Sequence, residues 1–101
     1  MDLKETKALV RHLLSRFEDT RNNDMLLYLR VCVERNQRAL TMPFYEVVMH
    51  LKELNLPPFE SVRRARQKLQ AKYPELAACE TVQEYRAENE AEYRDFARGG
   101  V

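Results

Sequence analysis

From Ser61 to Lys72 the chain carries Arg63, Arg64, Arg66, Lys68 and Lys72 and no acid, although its formal charge is only +1. These residue types suit nucleic acid. Arginine can bond guanine O6 and N7 in pairs, glutamine can do the same for adenine N6 and N7, and either cation can neutralise phosphate. At 100° per residue, Phe59, Val62, Ala65, Leu69 and Tyr73 cluster on one side of a helix, while Arg63, Arg64, Gln67 and Ala71 fall on the other. Lys68 and Lys72 flank that outer face along one edge, Arg66 and Gln70 along the other. The expected nucleic-acid contacts are Arg63, Arg64, Gln67 and Lys68, with Lys72 adding a contact to phosphate. Two simpler readings stand beside this one: a charge run on a helix is commonly a solvated face, or Glu84, Glu88, Glu92 and Asp95, which share one edge of a later helix, could lie beside the cations and pair with them.

Other reactive side chains form no comparable constellation. Glu46, His50 and Glu53 share a helical face at i, i+4 and i+7, a spacing that can hold a divalent metal, but such faces are common on surface helices. His12 has no partner in pattern and is expected to be exposed. Ser15 and Ser61 are the only serines, and no glycine-rich loop exists to cradle a phosphate or build an oxyanion hole. No enzyme, catalytic residue, metal or cofactor is implied. Cys32 and Cys79 match no metal or redox spacing; Cys32 reads as a small buried hydrophobe, and no disulfide is expected. Tyr28, Tyr45, Tyr85 and Tyr93 lie on or beside apolar stripes, so core packing is their expected role.

The elements that must position these residues read as helices. Glycine occurs only at 99 and 100 and proline only at 43, 57, 58 and 74, which leaves little punctuation for strands. A first helix over residues 3–18 buries Leu3, Val10, Leu13, Leu14 and Phe17, and the polar DTRNND stretch ends it. Asn23 or Asp24 can cap a second helix through residue 36. Its apolar residues Met25, Leu26, Leu27, Leu29, Val31, Cys32 and Val33 nearly encircle the axis, predicting the most buried helix. Thr41 is the expected cap of a third helix, with Pro43 in its first turn and Phe44, Val47, Val48, Leu51 and Leu54 on its inner stripe. Asn55 can take the left-handed conformation that stops it. Pro57 and Pro58 make a stiff turn into the basic helix, which Pro74 closes. Thr81 and Glu84 fit a capping box for a fifth helix, residues 82–97, with Val82, Tyr85, Tyr93 and Phe96 facing inward around Asn89.

An amphipathic helix, a short turn and then a basic helix is the order of a helix-turn-helix, although here Asn55 and two prolines occupy the turn that often carries glycine. With 101 residues, 45% hydrophobic and 33% charged, the chain has material for one core. The expectation is an all-α, compact five-helix domain with a helix-turn-helix-like centre, residues 1–98, and a frayed end, residues 99–101. No apolar run approaches the roughly 20 residues that span a bilayer. The first residues mix acids and bases and lack the apolar centre of a signal peptide. A soluble, cytoplasmic protein with no membrane partner is expected.

The stretches DTRNNDMLLYLRV, LPPFESVRRARQKLQAKYPEL and VQEYRAENEAEYRDFA together resemble a group of small proteins from phages and prophages of Gram-positive bacteria. That group shows a TRN(S/N)D turn, an ES(V/I)xRARxKxQ helix and a terminal YRxFA. The resemblance covers most of the chain after residue 18 and implies a phage context within a bacterial host cell, with no catalytic residues to carry over. It favours a DNA-associated protein contacting duplex DNA through the basic helix. The alternative is a protein-interaction module, an inhibitor of a host or defence protein, using the same basic face or the C-terminal helix. A homodimer would suit a helix-turn-helix protein. The balanced charge speaks against a DNA mimic, which needs an acidic surface.

Overall fold

The computed structural model describes residues 2–97, with the side chains of residues 2–92. Among these the chain is helical and has no strand: α1 (Leu3–Arg16), α2 (Asp24–Arg35), α3 (Phe44–Met49), α4 (Phe59–Lys72) and α5 (Glu80–Ala97), linked in part by 3-10 turns at Glu18–Arg21, Gln37–Leu40 and Pro74–Leu76. Helix α1 starts where the Asp2 side chain accepts the Glu5 amide at 2.8 Å. Asn23 opens α2 by accepting the amides of Met25 and Leu26 at 2.9 and 3.2 Å. This use of Asn23 leaves the Asp24 carboxylate free for a second task, described below.

The core is one cluster. Val10, Leu13 and Leu14 of α1, Leu27, Tyr28, Val31 and Cys32 of α2, and Val62, Ala65 and Leu69 of α4 meet there with Val47, Leu54, Leu56 and Leu76. Helix α1 packs along α4, and α2 contacts both. Each fully buried leucine contributes roughly 1.5–3 kcal/mol of transfer free energy. Tyr28 ties α2 to the chain before α4: its hydroxyl donates to the Pro57 carbonyl at 2.9 Å, and Phe59 packs edge-on against its ring at 5.4 Å.

Several local expectations change. Helix α2 is buried mainly along Leu27, Tyr28, Val31 and Cys32, with Met25, Leu26 and Leu29 exposed; α1, α4 and the flanking 3-10 turns are its neighbours. Thr41 closes the preceding 3-10 turn instead of capping α3, its hydroxyl donating to the Arg38 carbonyl, and Pro43 sits just before the helix. Helix α3 ends at Met49, short of Leu54, since His50 leaves helical geometry at φ −121°. The chain then makes further hydrogen-bonded turns and stops at Asn55, whose φ of 56° is the left-handed conformation expected. The Leu56 amide donates to the Leu51 carbonyl at 2.8 Å and the Asn55 amide to that of Lys52 at 3.1 Å, the two bonds of a Schellman closure. The basic helix therefore follows α3 across residues 50–58, and not across the short turn expected at Asn55, Pro57 and Pro58.

Helix α5 begins at Glu80, so Thr81 and Glu84 lie inside it, exposed, and the capping box is not formed. Asn22 instead accepts the Cys79 amide at 2.8 Å, and Gln83 donates to the Ala78 carbonyl at 2.7 Å. Its expected inward stripe is largely outward: Val82 is half-buried, but Tyr85 and Asn89 are exposed, and Arg86 turns to the domain instead. The side chains of Tyr93, Asp95 and Phe96, and the end from residue 99 expected to fray, lie outside the described residues. Both cysteines are free thiols, Cys32 buried and Cys79 exposed. No described helix is long and apolar enough to cross a membrane.

Candidate nucleic-acid interface

Helix α4 buries Val62, Ala65 and Leu69 and thereby aims three sets of polar side chains in different directions. The set expected outermost is the first. Arg63 forks onto Glu60, with Nε donating to Oε2 at 3.0 Å and Nη2 to Oε1 at 2.6 Å, and Arg64 Nε donates to the same Oε1 at 3.3 Å. The hydrogen bonds from Arg63 hold the Glu60 carboxyl below the usual carboxylate range, and Glu60 in turn raises Arg63. These pairs are exposed and screened by water, so they add little to stability. They orient the two guanidinium groups without removing them from the surface. Gln67 is engaged too: its Nε2 donates to Glu90 of α5 at 3.1 Å. The described α5 acid bonded to the basic helix is therefore Glu90, outside the expected edge of Glu84, Glu88 and Glu92.

The second set is internal, which corrects the placement of Arg66 and Gln70 at an exposed edge. Arg66 is only 6% exposed. It donates from Nε and Nη2 to the two oxygens of Asp24 at 2.9 and 3.0 Å, and from Nη1 to Gln70 at 3.3 Å. Gln70 Nε2 donates to the carbonyls of Arg21 and Leu76, while Arg86 Nη1 donates to the Arg21 carbonyl and to Gln70 Oε1. Burial, and then the charge of Arg66, lower Arg86 from its ordinary value. Helical angle alone cannot reveal this network. A guanidinium turns inward only where a carboxylate from another element waits for it.

The third set is the open one. Arg64, Lys68 and Lys72 run along the side of α4 that faces α1, which carries Lys4, Lys7 and Arg11. Lys7, Arg64 and Lys68 line a depression of about 200 Å³ with Leu3, Thr6 and Ser61. Lys4, Lys7, Arg11 and Lys72 line a second of about 320 Å³ with Tyr73. The Arg11 guanidinium lies 4.3 Å over the Tyr73 ring, and Lys72 Nζ lies 5.4 Å from the same ring. Arg64, 70% exposed in its side chain, has Glu60 as its ion-pair partner among the described residues. Among the described residues, Lys4, Lys7, Arg11, Lys68 and Lys72 have no ion-pair partner. Lys4, Lys7 and Arg11 were not among the expected site residues. Their i, i+3, i+7 spacing is visible in the sequence, but their place beside α4 is a tertiary fact.

The remaining candidates stay apart. His50 Nδ1 lies 3.1 Å from Glu53 as an exposed pair, and no described group of acids, histidines and cysteines could hold a metal. Of the tyrosines expected in the core, Tyr28 is buried, whereas Tyr45 and Tyr85 are each 64% exposed. Leu40, Phe44, Val48 and Met49 are exposed as well, so Phe44 and Val48 leave the inner stripe expected of α3. A groove of about 270 Å³ is lined by Leu29, Val33, Leu40, Met42 and Phe44. Comparisons with protein-family models, with curated proteins and with solved structures find no match to this chain.

Proposed function

We propose that this is a phage-derived, DNA-associated protein of the host cytoplasm that contacts duplex DNA through the basic surface of α4. The observation that carries the proposal is the row of exposed cations Arg64, Lys68 and Lys72 on one rigid helix, two of them without an ion-pair partner among the described residues. Arg63 and Gln67, each held by an exposed carboxylate, stand at the neighbouring edge where a base or phosphate could exchange with Glu60 or Glu90. The phage context rests on the sequence resemblance alone. No catalytic group, metal or cofactor enters this function.

Fluorescence anisotropy of a labelled random-sequence duplex, titrated at several salt concentrations, tests it. Three to four phosphate contacts predict that log K falls against log salt with a slope of roughly −3. Lys68→Ala/Lys72→Ala should weaken binding and flatten that slope. Absence of salt-dependent binding at low ionic strength would overturn the proposal.

A second reading has its own observation. The exposed apolar side chains of α3 and the turn before it, Leu40, Phe44, Tyr45 and Met49, suit a protein partner such as a host enzyme, or a second copy of this chain. It predicts a stoichiometric complex that forms without DNA.

A further inference from the structure

We infer that the crevice between α1 and α4 is a track for the phosphate backbone of duplex DNA, built in equal parts from Lys4, Lys7 and Arg11 and from Arg64, Lys68 and Lys72. The inference rests on the DNA reading and adds α1, the backbone as the recognised group, and sequence-independent contact. The two helices run side by side in the same sense, for Leu3 and Thr6 lie beside Ser61 and Arg64, and Arg11 lies over Tyr73. Lys7 lines both depressions, so the cations form one continuous row along the crevice. At about 1.5 Å per residue each helix contributes roughly 10–12 Å of charge.

The nearby acids are turned to other tasks. Asp2 caps α1, Glu5 pairs with Arg35 at 3.4 Å, and Glu60 divides its oxygens between Arg63 and Arg64. The crevice therefore concentrates positive charge in a molecule of formal charge +1. Two low-dielectric helix walls raise the potential between them. Flexible lysines dominate the row, and these bind phosphate as point charges, whereas paired recognition of a base belongs to arginine and glutamine. The two side chains on α4 best suited to reading bases, Arg63 and Gln67, stand on the side facing Glu60 and Glu90.

The test compares Lys4→Ala/Lys7→Ala with a matched loss of charge elsewhere, Arg38→Ala/Lys52→Ala, on two duplexes of unrelated sequence over a salt series. All four side chains belong to exposed residues, and circular dichroism checks that both variants fold. The expected result is a slope smaller in magnitude by about 1.8 for the α1 variant, at about 0.9 per lost contact, equal on both duplexes, with the control unchanged. If the α1 variant keeps the wild-type slope while Lys68→Ala/Lys72→Ala loses it, the track is refuted and the α4 reading stands. An effect confined to one duplex would also refute it, because a backbone contact cannot depend on sequence in that way. If wild-type protein binds neither duplex, both the track and the DNA reading fail.

Discussion

At the scale of single residues, Tyr28 and Cys32 show how burial makes stability depend on pH. They stand one turn apart on α2, both buried, and the Tyr28 hydroxyl donates to Pro57. Burial raises the pKa of both groups, most strongly that of Tyr28. A raised value means the folded chain keeps a proton that the unfolded chain releases. Stability is then constant below the unfolded value and falls as pH rises above it, by up to about 1.4 kcal/mol per pH unit for each group. The decline begins near pH 8.5, where an unfolded thiol ionises, and steepens near 10 with the phenol. Urea unfolding across pH 7–10.5 should show this onset, and Cys32→Ala should delay it toward pH 10. Stability that stays level through pH 10 in the wild type would contradict the account.

At the scale of elements, α2, α4 and α5 are joined by a polar network inside an otherwise apolar assembly. Asp24 begins α2, Arg66 lies mid-way along α4, and Arg86 reaches in from α5 to within 3.8 Å of Asp24. The Asp24–Arg66 fork supplies direction as well as attraction, because both guanidinium bonds require α4 at one rotation about its axis. That rotation also aims Arg64, Lys68 and Lys72 toward α1. Arg66→Ala should cost about 3 kcal/mol, the low end for a broken buried pair, since Asp24 keeps some contact with water. Thermal unfolding measures the loss. A cost below about 0.5 kcal/mol would make the fork a surface pair in effect.

At the scale of the whole molecule, the near-neutral total conceals a separation of charge. Helix α5 carries Glu80, Glu84, Glu88, Glu90 and Glu92, whereas α1 and α4 bring six cations to a shared crevice. Repulsion within the crevice opposes folding, and dissolved salt screens it over about 10 Å at 0.1 M. Sodium chloride from 0.02 to 0.3 M should therefore raise the melting temperature slightly, by about 1–3 °C, as a few tenths of a kcal/mol would in a domain of this size. The same salt should weaken DNA binding steeply. The two opposite responses share one cause, and a melting temperature that falls with salt would show that attraction, not repulsion, dominates this surface.

The sequence by itself determined the helical class, the five helices, the stop at Asn55 and the core faces of α1 and α4, apart from Leu3 and Phe59, which are exposed. Each of these depends on interactions within a few residues: periodicity, a cap, a left-handed backbone. It also marked Arg63, Arg64, Gln67, Lys68 and Lys72 as polar positions of α4, because angle around a helix follows from spacing alone. Only the tertiary structure decided which of those positions meet water. Asp24, distant in sequence, draws Arg66 inward; Glu90 meets Gln67; α1 adds Lys4, Lys7 and Arg11 to the open edge. It likewise left Met25, Leu26 and Leu29 of α2 exposed and turned Tyr85 outward, where periodicity alone put them inside. A helical wheel specifies a direction, but whether that direction leads to solvent, to a carboxylate or to another cation depends on which helix lies next to it.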